Sequence, residues 1–239
     1  MATWDNFSSV PRFRRIKEID LAGDWIRDAG VDKVVAVLRK NKEVTSVCLD
    51  DNAITSIGAR KLAKALSKCT QLQKLELDEN HITDKGLIAM LPLLPPSLEV
   101  LMLRDNEISS EGIIALANSL PRFPRLNTLS LSWNRINNDG AVALAYVLPH
   151  CKSIRRVSVF SVSSWMDGGI QAFARVLPTL HPDCHIHVHV KYNDYWERVI
   201  LEAPDRRAFF VFFAGEFPFA RKDGDTAIRR RVFPYLLPC

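Results

Sequence analysis

The chain has 239 residues, is 47% hydrophobic and 25% charged, and has a mean hydropathy of −0.03. Those values allow one sizeable domain with an ordered extension, and they exclude wholesale disorder, a fibrous chain and a disulfide-dense mini-protein. The net charge of +5 is spread as +2 over residues 1–15, +1 over 16–190 and +2 over 191–239, with no block of about five like charges to mark a nucleic-acid-binding tail.

Residues 1–15 hold no apolar stretch of the secretory kind and are read as an N-terminal segment or cap. Arg12, Arg14 and Arg15 would suit a mitochondrial presequence, but Asp5 and Pro11 spoil the amphipathic helix it needs. No apolar run reaches the length of a membrane span. The five cysteines, at 48, 69, 151, 184 and 239, are odd in number and form no C-x-x-C pair. They point to a reducing compartment, with the cytoplasm expected first and a mitochondrial or ciliary assembly as alternatives.

From residue 16 the chain repeats itself. Ile16, Val44, Leu72, Leu98, Leu126 and Ile154 open six units spaced 28, 28, 26, 28 and 28 residues apart. Apolar residues three and five positions on (Leu75 and Leu77, Leu101 and Leu103) give each unit a short strand with one buried face. Asparagine stands eight positions in (Asn52, Asn80, Asn106, Asn134), with Asp24 in the first unit, and isoleucine ten positions in. Asp28, Ser56, Asp84, Ser110 and Asn138 are expected to cap a following helix, with a glycine two residues later. Ala59, Leu62, Ala63 and Leu66 then form the i, i+3, i+4, i+7 face of that helix. Pro121, Pro149 and Pro178 close several of the helices. The asparagine amides can both donate and accept, which suits them to satisfying backbone groups of neighbouring turns.

This pattern resembles the leucine-rich repeat of the longer, ribonuclease-inhibitor-like class, L-x-x-L-x-L-x-x-N-x-I-x-x-x-G followed by a helix, over residues 16–177. The resemblance implies an α/β solenoid of six to seven units, with a curved parallel sheet inside and helices outside. Physics points the same way, because a single strand–helix unit cannot bury its apolar face alone. The repeat domain is placed at 16–190 and a C-terminal cap or docking extension at 191–239.

The sixth unit departs from the pattern. Val162 stands where asparagine is due, one extra residue lies within 160–166, and Trp165 takes the isoleucine slot, as befits a terminal repeat. His185, His187 and His189 then alternate with Ile186, Val188 and Val190 on a strand. Histidines sharing a strand face can ligate zinc, but no third ligand at suitable spacing completes a set, so no metal is expected. Asp194 to Glu202 is read as a helix with Trp196, Val199 and Ile200 inward. Phe209, Phe210, Phe212, Phe213, Phe217 and Phe219 follow, six of the twelve phenylalanines, as a cap over the last strand or a partner-docking tail.

No nucleophile–base pair, metal cluster or phosphate-binding glycine loop stands out, so a non-catalytic protein–protein interaction scaffold is expected, without cofactor or small-molecule substrate. It would be a subunit or adaptor of a larger assembly. The strand-lined face is the expected binding surface. Glu18, Asp20, Asp50, Asp51, Glu76, Asp78 and Glu79 make its first half acidic, fit for a basic partner segment, and Arg104, Trp133, Arg156 and Phe160 make its second half basic and aromatic. Two alternatives are a GTPase regulator, since the Ran GTPase-activating proteins use this repeat class, and an RNA- or ribosome-associated subunit.

Overall fold

The computed structural model describes residues 16–160, 167–192, 195–202 and 209–213. Six strand–helix units follow one another: β1 (Glu18–Asp20) and α1 (Arg27–Lys40), β2 (Ser46–Cys48) and α2 (Ser56–Leu66), β3 (Lys74–Glu76) and α3 (Asp84–Met90). Then come β4 (Val100–Met102) and α4 (Ser110–Ser119), β5 (Thr128–Ser130) and α5 (Asn138–Val147), β6 (Arg156–Phe160) and α6 (Asp167–Val176). β7 (His185–Tyr192), β8 (Tyr195–Glu202) and β9 (Phe209–Phe213) complete one sheet, whose strand order is the sequence order. β1 to β7 are parallel; β8 and β9 are antiparallel to their neighbours.

The register is that of the sequence repeat. Ile19, Val47, Leu75, Leu101, Leu129, Val157 and Ile186 align across seven strands, each buried. They face the apolar stripes of the helices, exemplified by Leu62, Ala63 and Leu66 of α2, so the core is one continuous slab between sheet and helices. From α3 onward each helix hands over to a 3-10 turn containing the proline, at Pro92, Pro121, Pro149 and Pro178. Proline lacks the N–H an α-helix needs in its interior but fits the first positions of a new turn.

The buried asparagines bind one unit to the previous one. Asn106 Oδ1 accepts the Ile82 N–H at 2.9 Å, while its Nδ2 donates to the carbonyls of Leu77 (2.9 Å), Arg104 (3.1 Å) and Leu103 (3.3 Å). Asn52, Asn80 and Asn134 repeat this scheme. Asp24, which accepts but cannot donate, fills the slot in the first unit, and among the described residues no unit precedes it to offer a carbonyl.

Two sequence expectations need correction. Three of the helices are capped by the residue before the one expected: Thr55, Ser109 and Asn137 are N-caps whose side chains accept from their own first turns. Asp28, Asp84 and Asn138 instead reach the next unit. Asp28 Oδ1 accepts from Thr55 N and Gly58 N, Asp84 Oδ1 from Ser109 N and Gly112 N, and Asn138 Oδ1 from Gly169 N. The glycine is the space this contact requires. A Cβ on Gly112 would stand 2.5 Å from Asp84 Oδ1 and 2.8 Å from Ile108 Cγ2. Second, Tyr195–Glu202 is a strand, not a helix. Its aromatic and β-branched residues suit either period, and pairing with the edge of β7 decides between them. The tail phenylalanines 209, 210, 212 and 213 form β9 beside it. Phe217, Phe219, Val162, Trp165 and segment 1–15 lie outside the described residues.

Asn106→Asp should keep the acceptor but set a buried carboxylate against three carbonyls. We expect a loss of about 2–4 kcal/mol in urea denaturation at neutral pH, the range for an unsatisfied buried polar group.

Candidate interaction face

On the strand-lined face, side chains of successive units lie beside one another at the ~4.8 Å strand spacing. The structure brings Asp50, Glu76 and Asp78 together there, with Cys48 among them. Asp50 Oδ1 accepts the Asp78 N–H at 2.7 Å, and Asp78 Oδ1 accepts the Arg104 N–H at 2.6 Å, so these two carboxylates staple β2 to β3 and β3 to β4. Glu76 pairs with Lys74 at 2.8 Å and Glu79 with Arg104 at 2.7 Å. Much of the acidity expected to be offered to a partner is therefore already engaged. Glu18 and Asp51 are exposed and Asp20 half-buried, leaving the open negative charge toward the β1 end.

One ligand-type atom each of Cys48, Asp50 and Glu76 lies within 4.8 Å of the others. That donor set could hold a cation, but its own contacts already tie it up. Cys48 Sγ donates to Asp50 Oδ2 at 3.5 Å, and burial pushes the thiol up to about 12, with the charges of Asp50 and Glu76 adding to it despite an opposing backbone hydrogen bond. A thiol so raised stays protonated at neutral pH and is a poor nucleophile and metal ligand.

The residue seven positions into each unit holds a left-handed backbone: Gly23 (φ 73°), Asp51 (51°), Glu79 (55°), Asp105 (49°) and Trp133 (61°). Glycine takes this conformation freely, whereas a tryptophan there is strained, by about 1–2 kcal/mol. Trp133 is nonetheless 40% exposed, at the end of β5. Arg156, at the start of β6, is exposed and in register with Thr128, five residues before Trp133, and Phe160 ends β6 paired with His189 of β7. His185 is exposed and His187 half-buried.

A helix-side feature escaped the sequence reading. Arg60, Lys61, Lys64 and Lys68 recur at helical spacing along and just beyond α2, all exposed, beside Arg39 and Lys42. The signal was in the sequence, but counting charge by segment adds these cations to the acids of the strand face and cancels both.

Burial raises the Asp78 carboxyl from 3.8 to about 6; the Arg104 N–H opposes this, and the Asp50 charge reinforces it. Between about pH 4 and 6 the folded chain thus keeps a proton the unfolded chain has released, and stability from this group falls as pH rises through that window. Asp78→Asn should therefore gain on the wild type by a few °C in melting temperature, on the order of what one buried group contributes, as pH goes from 4 to 7. Melting curves of both proteins at three pH values check this; a difference independent of pH would refute it.

The family described as "Leucine Rich repeat" matches residues 68–91, 95–117 and 125–145. No curated protein sequence matches the chain. Among solved structures the chain is similar to one described as "Leiomodin-1 Actin-Binding Site 2 (ABS2)", at 15% identity and a TM-score of 0.42, over 75% of this chain and 90% of that one. The three matched segments lie on the third, fourth and fifth of six strand–helix units stacked in register on one parallel sheet, and the fold is a leucine-rich-repeat solenoid.

Proposed function

We propose that this protein is a non-catalytic interaction scaffold, a subunit or adaptor of a larger assembly, that grips a protein partner across its strand-lined face. Trp133 carries this reading. Every other left-handed turn residue at its position is glycine or acidic, and a large aromatic ring held half-open in a strained backbone costs stability that the turn itself does not require. Tryptophan is among the residues most enriched in binding hot spots, and the exposed Arg156 lies on the neighbouring strand, opposite Thr128 at the start of β5. The exposed acids of the first units, Glu18 and Asp51 with Asp20, would steer a basic segment of the same partner to the other end of the face.

The C-terminal strands extend the reading. β9, Phe-Phe-Val-Phe-Phe, is the outermost strand of the sheet among the described residues, and an edge of that composition favours docking on another subunit by strand addition. Among the described residues no helix is long and apolar enough to cross a membrane.

Trp133→Gly separates binding from folding. Relief of the left-handed strain should leave stability in urea unchanged or raised by about 1 kcal/mol, while dissociation from captured partners quickens by on the order of tenfold or more. Quantitative mass spectrometry of proteins retained by the tagged full chain, washed for increasing times, reads the second effect. Equal retention by wild type and variant would move the binding site off this face.

A further inference from the structure

The helix-lined side carries a charge that the strand-lined side does not. A groove of about 580 Å³ runs between α1 and α2 over Val35 and Ala65, and its rim holds Arg39, Lys42, Lys61, Lys64 and Lys68. Asp32 is the one carboxylate lining it, paired with Lys61 at 2.9 Å. A second groove, of about 420 Å³, lies between α2 and α3 over Ile57 and Ala89, rimmed by Arg60, Lys61, Lys64 and Lys85. Lys61 and Lys64 line both, so the two grooves flank the same stretch of α2.

Seven cations face one acid here, more than the net charge of +5 of the whole chain. Favourable placement at helix C-termini accounts for Arg39 and Lys64 only. Lys85 is the second residue of α3, the end where a cation is disfavoured, and Arg60 and Lys64 repel each other at i, i+4. Nothing in the fold calls for this gathering of charge.

We propose that the paired grooves dock an acidic amphipathic segment of a partner protein, its carboxylates on the rim cations and its apolar side chains on the floor. The floor decides against a nucleic acid. A phosphate backbone gains nothing from Val35, Ala65, Ile57 and Ala89, and no aromatic residue lines either groove to stack on a base. Ile57, 67% exposed at the start of α2, is the apolar group such a segment would cover.

The test is fluorescence anisotropy of a labelled synthetic peptide with leucine along one helical face and glutamate along the other, titrated with the full chain at low and at physiological salt. A scrambled peptide of equal composition and a duplex DNA are run beside it. We expect the amphipathic peptide to bind at least about tenfold tighter than the scrambled one. Lys64→Glu with Lys68→Glu should weaken it at least about tenfold, most at low salt, and Ile57→Ser should weaken it severalfold without changing the charge. Trp133→Gly should leave it unchanged, so that failure here and failure of the strand-face reading are told apart. Melting curves confirm that each variant is folded. Equal binding of the scrambled peptide, or indifference to the charge reversal, overturns the proposal. Tighter binding of DNA that the same variants abolish assigns the surface to nucleic acid instead. Concentration-dependent assembly of the free chain, abolished by the charge reversal in sedimentation, would assign it to a second copy.

Discussion

A stack of strand–loop–helix units buries its own loops, and every backbone N–H and C=O taken into that interior must find a partner. This chain meets the requirement almost entirely between units. The asparagine ladder runs beneath the turns that follow the strands, with Asn52 and Asn134 fully buried, and each amide answers groups of the unit before it. A second ladder runs at the helix starts, where Asp28, Asp84 and Asn138 complete the first turn of the next helix. Both ladders work only if neighbouring units stay in register, which is why the spacing holds to 26–28 residues and why the glycine at the helix start admits no side chain. Stability therefore resides in the interfaces, and a unit removed from its neighbours would leave both ladders open.

What could be read from the sequence follows from this arrangement. Strand positions, core rows and the structural part played by the asparagines were legible because they repeat, and repetition lifts a pattern above the noise of any single unit. The helix caps were misplaced by one residue for the same reason. Thr55 and Ser56, or Asn137 and Asn138, are both capping types, and only the structure shows that the first serves its own helix and the second its neighbour. Tyr195–Glu202 was misread because it lies outside the repeat. Its apolar residues at 196, 199 and 200 fit a helix locally, and the decision rests with an edge strand that no local window contains.

The candidate face was legible as a location but not as a chemistry. Alternation puts Asp50, Asp78 and Glu76 on the open side of the sheet, yet it cannot tell that two of them bind backbone N–H groups of the next strand and the third a lysine. Positions that hold the stack together are poor places for a partner to compete, since breaking their bonds would loosen the interface they close. The positions proposed above for binding are of other kinds: the left-handed turn residue, exposed at Trp133, and the exposed helix faces. Trp133 and the cations around Lys64 occupy these two kinds of position, on opposite sides of the molecule.

The end of the stack shows the same economy of connection. A parallel strand needs a crossover of a dozen or more residues to return to the same end of the sheet, and each of the six units supplies it with a helix. After β7 only residues 193 and 194 precede β8, and only 203–208 separate β8 from β9. Connections so short can join antiparallel neighbours alone, so the direction of the sheet must reverse there whatever the side chains prefer. Among the described residues no helix follows β7 to make a new layer on which another repeat could pack. Among the described residues the parallel run of strands therefore ends at β7, where the helical crossovers give way to short connections, and the phenylalanine-rich β9 is the last strand of the sheet.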